Sequence, residues 1–178
     1  MITDKSKHIF VDLDETLIYC RYVGLQAPKP EYWGIRDEDK IINLKFNPSG
    51  ALNEYYISRM RPGALELLAE LRKRYPVSML TAATFDYAKA NIAAHGLGFT
   101  DEQIHSREHI NCKILSTAEL GKFEAYLIDN LSMIQNGVKM RYLNEFNPTY
   151  IKVNNFYGRD EQEWTELKIQ RILKQIEI

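Results

Sequence analysis

Two cysteines, Cys20 and Cys112, are too few for a disulfide framework, and they lack the paired spacing of a zinc ribbon or finger. No apolar run is long enough to span a bilayer, and nothing in the chain has the layout of a secretion signal. A reducing cytoplasm with no membrane association is therefore the expected setting. Net charge is missing too: 23 Lys and Arg against 24 Asp and Glu leave -1, which gives no global pull toward nucleic acid or an anionic surface. The four histidines share no convergent spacing, so packing rather than metal ligation is expected of them. No repeat or low-complexity tract breaks the chain.

What is there is 178 residues of ordinary globular composition, 45% of them apolar, enough for one domain that buries about two-thirds of its unfolded surface. We read residues 1–178 as that single domain. Three short, continuous apolar runs, His8 to Leu13, Val77 to Leu80 and Ala125 to Ile128, have the signature of strands covered on both faces in a parallel sheet. Helical patterns lie between them. Arg61 to Tyr75 carries a leucine stripe (Leu65, Leu67, Leu68, Leu71) with Pro62 in its first turn and stops before Pro76. Phe85 to His95 stops at Gly96, an expected C-terminal cap. The alternation implies right-handed crossovers and an α/β layer with a parallel sheet flanked by helices.

Two stretches fall outside this rhythm. An insertion, approximately residues 19–60, holds two strand-like runs, Ile41 to Phe46 and Glu54 to Ser58, around Asn47-Pro48-Ser49-Gly50, which reads as a small β-hairpin and not a large cap domain. In the tail, Asp160 followed by Glu163 resembles a capping box, and Ile169, Ile172, Leu173 and Ile176 recur at helical spacing.

The chemistry gathers where the first strand ends. Asp12 and Asp14 stand one residue apart just past a buried strand, and two acids turned into one crevice repel unless a divalent cation lies between them. The string Asp12-Leu13-Asp14-Glu15-Thr16-Leu17-Ile18 resembles the first motif of the haloacid dehalogenase superfamily, in particular its branch of small carboxy-terminal-domain, NLI-interacting-factor-like phosphatases. Val77 to Thr81 looks like the second motif, Lys113 stands where the third-motif lysine would, and Tyr126-Leu127-Ile128-Asp129-Asn130 resembles the fourth. Arg61-Pro62-Gly63 resembles that family's step into its first large helix. The fourth motif continues Leu131-Ser132 where the branch usually carries a proline after a small residue.

This resemblance implies a Rossmann-like sheet and a Mg2+-dependent phosphomonoesterase. Asp12 would be the nucleophile and Asp14 the acid and base; Thr81 and Lys113 would bind the phosphoryl oxygens, with Lys122 a rival lysine. Asp12, Asp14 through its carbonyl, Asp129 and Asn130 would hold the metal. Arg107-Glu108 resembles a further family pair but reads equally well as a structural ion pair. An open site without a bulky cap suits a phosphorylated macromolecule. A phosphoserine or phosphothreonine protein is the expected partner, with Tyr32 and Trp33 of the insertion as its docking contacts. A polynucleotide end phosphatase or nucleotidase, drawing on Arg59, Arg61, Arg72, Lys73 and Arg74, is the alternative, and a non-catalytic phosphate- or partner-binding module is another.

Overall fold

The computed structural model describes residues 4, 6–45, 53–112, 123–131, 135, 139 and 148–177. Elements are numbered among these residues, the short helix Arg107–Cys112 being α4. The apolar runs form strands β1 (Lys7–Val11), β5 (Val77–Leu80) and β7 (Glu124–Asp129), joined by two short ones, β6 (Ile104–His105) and β8 (Thr149–Lys152). All pair in parallel in the order β6-β5-β1-β7-β8. Val11 of the central strand is flanked by Met79 on one side and Ile128 on the other. From β1 the chain runs outward through β5 to β6 and then returns to build β7 and β8 on the opposite flank. The order therefore reverses beside β1, and in open sheets of this kind the crevice at the carboxyl ends of the strands at such a reversal is where ligands bind.

Helices α2 (Ala64–Arg72), α3 (Phe85–His95) and α5 (Glu166–Glu177) bury Leu67, Leu68 and Leu71, Ala88 and Ile92, and Ile169, Ile172, Leu173 and Ile176 in one core with Ile9, Val11, Met79 and Ile128. Helix α3 keeps its expected bounds and ends on Gly96 in the left-handed region, φ 64°. Helix α2 starts later than its pattern suggests. Gly63, φ 79°, is its N-cap, and a Cβ there would lie 2.2 Å from the Trp164 carbonyl oxygen, so glycine is required by both backbone and contact. The C-terminal helix also begins later: Asp160–Gln162 is a separate 3-10 turn, and Thr165, whose carbonyl and hydroxyl accept from Ile169 and Lys168 N–H, starts α5.

The insertion is larger than a hairpin. Strand β3 (Lys40–Lys45) pairs with β4 (Asn53–Met60), and β2 (Ile18–Gly24) pairs antiparallel with the other edge of β4, giving a three-stranded sheet with a short helix α1 (Pro30–Trp33). Strand β2 was hidden because its side chains alternate poorly between buried and exposed.

Candidate active site

The loop after β1 folds back on itself. Leu17 and Ile18 donate backbone hydrogen bonds to the Leu13 carbonyl, and Glu15 N–H donates to Ile18. Leu13 and Leu17 are fully buried, and between these anchors Asp14, Glu15 and Thr16 are brought to the sheet edge beside Asp12. Asp129 and Asn130 arrive from the end of β7 and Thr81 from the end of β5. A cavity of about 590 Å³ lies between them, lined among others by Asp12, Asp14, Thr81, Asn130 and Lys139.

Four of the six site residues expected from the sequence, Asp12, Asp14, Thr81 and Asn130, thus line one cavity. Asp129 sits against it, and Lys113 lies outside the described residues, as does Lys122. Among the described residues, the cation set between these acids is Lys139, which sequence reasoning missed. Its Nζ is 2.5 Å from Asp12 Oδ1 and 2.7 Å from Asp129 Oδ2, with all three side chains buried. Burial acts to lower the lysine pKa, but the two carboxylates outweigh it and hold the ammonium above its ordinary value. One cation facing two anions leaves Asp12 incompletely balanced. Burial pushes its carboxyl up to about 7, with Lys139 opposing and the Asp129 charge adding to the rise.

The remaining contacts separate the acids by role. Asp129 is fully committed: Oδ2 takes Lys139 and Oδ1 takes the Leu131 N–H at 2.9 Å. In this structure it anchors the lysine. Asp12 Oδ2 and Asn130 Oδ1 instead share the Thr16 hydroxyl, at 3.4 and 3.1 Å. Two hard oxygens from different strand ends therefore lie within reach of one small atom. One carboxylate and one amide oxygen are donors of the kind that suit Mg2+, which keeps several waters. The Asp14 side chain points elsewhere, with Oδ1 accepting from Tyr87 OH at 2.6 Å, and burial holds its carboxyl above the usual range despite that bond.

Thr81 accepts the Ala83 N–H at 3.1 Å, a local turn at the strand end. Arg107 and Glu108 are not paired with each other. Arg107 lines the cavity while its Nε donates to the Ala82 carbonyl, and Glu108 caps helix α3 by accepting the Phe85 N–H. The insertion walls the cavity through Leu44 and Tyr56. Tyr32 and Trp33 stand apart: Tyr32 is 78% exposed, and Trp33 lies under the Arg21 guanidinium beside a different, smaller cavity.

A parallel sheet reversing beside β1, with paired acids, a hydroxyl and a lysine at its carboxyl edge, is the arrangement that the resemblance to haloacid dehalogenase-type phosphatases implies. The chain belongs to the NLI interacting factor-like phosphatase family, whose sequence model matches residues 7–177. It is similar to an RNA polymerase II C-terminal domain phosphatase of Schizosaccharomyces pombe, with 31% identity over 91 residues, 48% of this chain and 12% of that protein. Two solved structures share the fold. One is an arginine variant of the fission yeast RNA polymerase II CTD phosphatase Fcp1 bound to beryllium fluoride (TM-score 0.53, 18% identity, 97% of this chain and 50% of that one). The other is a further structure of Fcp1, with TM-score 0.53 and 21% identity, covering 97% of this chain and 49% of that one. The chain thus spans about an eighth of the curated relative's length and half of these structures. No helix among the described residues is long and apolar enough to cross a membrane.

Proposed function

We propose that this protein is a Mg2+-dependent phosphomonoesterase that works through an aspartyl-phosphate on Asp12. The observation that carries this reading is the meeting of three strand ends on one cavity, with Asp12 held between a buried lysine and the Thr16 hydroxyl that also reaches Asn130 Oδ1. Asp12 attacks phosphorus, the bond to the leaving oxygen breaks, and Asp14 supplies the proton that the departing alkoxide takes up. In the second half-reaction water attacks the same phosphorus, Asp14 takes the water's proton, and the bond from phosphorus to Asp12 breaks to release inorganic phosphate. Lys139 and Thr81 balance and orient the phosphoryl oxygens, and Arg107 adds charge at the cavity wall. Asp12, the Asp14 carbonyl, Asp129 and Asn130 would hold Mg2+, which would neutralise phosphoryl charge and keep Asp12 ionised. The Tyr87 hydroxyl fixes the Asp14 carboxyl in place between its two proton transfers.

For substrate we favour a phosphoserine or phosphothreonine protein in a cytoplasmic setting. Among the described residues the insertion walls the cavity without roofing it, and a relative is a phosphatase of a polymerase tail. The test is side-by-side hydrolysis of an aryl phosphate, phosphopeptides, nucleotides and 3′-phosphorylated oligonucleotides, with Asp12→Asn as control. Phosphopeptides should be preferred, and folded Asp12→Asn should be inactive on all. Retained turnover by that variant would remove the nucleophile assignment, and preference for an oligonucleotide would move the substrate class.

A further inference from the structure

Glu15 is the one non-glycine among the described residues with a left-handed backbone, φ 60°. A glutamate held there is strained, and strain of this kind persists only where the surroundings fix it. Here they do. Its N–H donates to the Ile18 carbonyl at 2.6 Å and its own carbonyl accepts from Phe156 at 2.7 Å. Its side chain, turned back toward the sheet edge, accepts two amide hydrogens on one oxygen: Oε2 is 3.2 Å from Asn130 Nδ2 and 2.7 Å from Asn155 Nδ2. Glu15 thereby ties the β1 loop to the end of β7 and to the segment after β8.

The contact to Asn130 has a chemical consequence. A carboxamide is planar with a donor at one end and an acceptor at the other, so fixing the Nδ2 end fixes where Oδ1 points. With Nδ2 on Glu15, Oδ1 faces Thr16 Oγ1 at 3.1 Å, the hydroxyl that also reaches Asp12 Oδ2. Rotated by half a turn, the amide would turn hydrogens toward Asp12, and a cation would meet a donor instead of a lone pair. We propose that Glu15 is a positioning residue for a divalent-cation site, holding the Asn130 amide with its oxygen turned toward Asp12. This rests on the metal reading above. Outer contacts that orient a ligand in this way typically change metal affinity 10- to 100-fold when removed.

The experiment is Mg2+ binding to the resting protein by calorimetry, with urea unfolding of the metal-free protein alongside. Glu15→Ala should weaken Mg2+ binding about tenfold or more, and Glu15→Gln, which still offers an acceptor oxygen, should recover much of it. In an Asn130→Asp background the two carboxylate oxygens are equivalent and there is no amide to orient, so Glu15→Ala should no longer weaken binding. A purely structural role would lower unfolding stability in both backgrounds and would leave the affinity loss independent of residue 130. Equal Mg2+ affinity in wild type and in folded Glu15→Ala overturns the positioning role while leaving the phosphatase reading standing. A wild type that hydrolyses aryl phosphate fully in excess chelator and binds no Mg2+ overturns both the metal reading and this inference.

Discussion

Lys139 is the most informative residue to remove, because its ammonium stands between the two buried acids Asp12 and Asp129. Replacing it by methionine keeps a similar stem and deletes the charge. Two contacts are lost, at 2.5 Å to Asp12 and 2.7 Å to Asp129, and both acids are buried, so two facing carboxylates remain with no cation between them. Removing one partner of a buried ion pair costs about 3 to 5 kcal/mol, mostly from the charge left behind. Losing one preorganised contact to the charge that develops at the transition state slows turnover roughly 10²- to 10³-fold. Lys139→Met should therefore lower the urea midpoint of the metal-free protein and reduce kcat on an aryl phosphate by at least about a hundredfold with Mg2+ saturating. The reasoning is refuted by a Lys139→Met variant that is both folded and active.

Two further expectations come from groups away from the chemistry. Arg61 is 1% exposed, with Nε and Nη1 on the Gln162 and Asn154 carbonyls and its guanidinium 4.2 Å over Trp164, while burial pulls its pKa down to about 10. Arg61→Met strands those carbonyls and should destabilise the protein by about 3 kcal/mol in urea; a change under about 1 kcal/mol would show that the buried guanidinium ties nothing together. Burial also holds His8, His95 and His105 neutral, each lowered from 6.5 to about 4. The unfolded chain takes up these protons near 6.5 and the folded one resists until about 4, so the stability they contribute is complete above 6.5 and is lost as pH falls through that window. The loss should reach about 1 to 2 kcal/mol for each by pH 5. Ring-proton chemical shifts followed against pH should show no titration of these histidines near 6.5, and a midpoint there for all three would defeat the argument.

The strands that carry the site were legible because their information is local. A buried strand is a short apolar run, and Ile9 to Val11, Val77 to Leu80 and Ala125 to Ile128 sit where those runs end in polar residues. Helix α3 was legible from Phe85 to its glycine cap for the same reason. Leu67, Leu68 and Leu71 of α2 and the isoleucines of α5 were also visible, whereas Leu65 of the expected stripe faces solvent. The starts of these helices were not visible, since Gly63 answers to Trp164 and the turn at Asp160–Gln162 answers to Arg61, both far away in sequence. Edge strands β6 and β8 are too short to leave a period.

The sequence by itself determined the fold class and the acids at the ends of β1 and β7, because buried strands write continuous apolar runs and the polar residues after them must face the sheet edge. Tertiary structure alone decided which cation meets those acids. Lys139 lies 127 residues from Asp12 in the chain, and a lysine is neither periodic nor apolar, so nothing near it in the sequence marks it as buried. Tertiary structure likewise divided the neighbouring acids, giving Asp129 to a lysine, Asp14 to a tyrosine and Glu15 to two amides. These assignments depend on distances between strand ends, which only the assembled sheet creates.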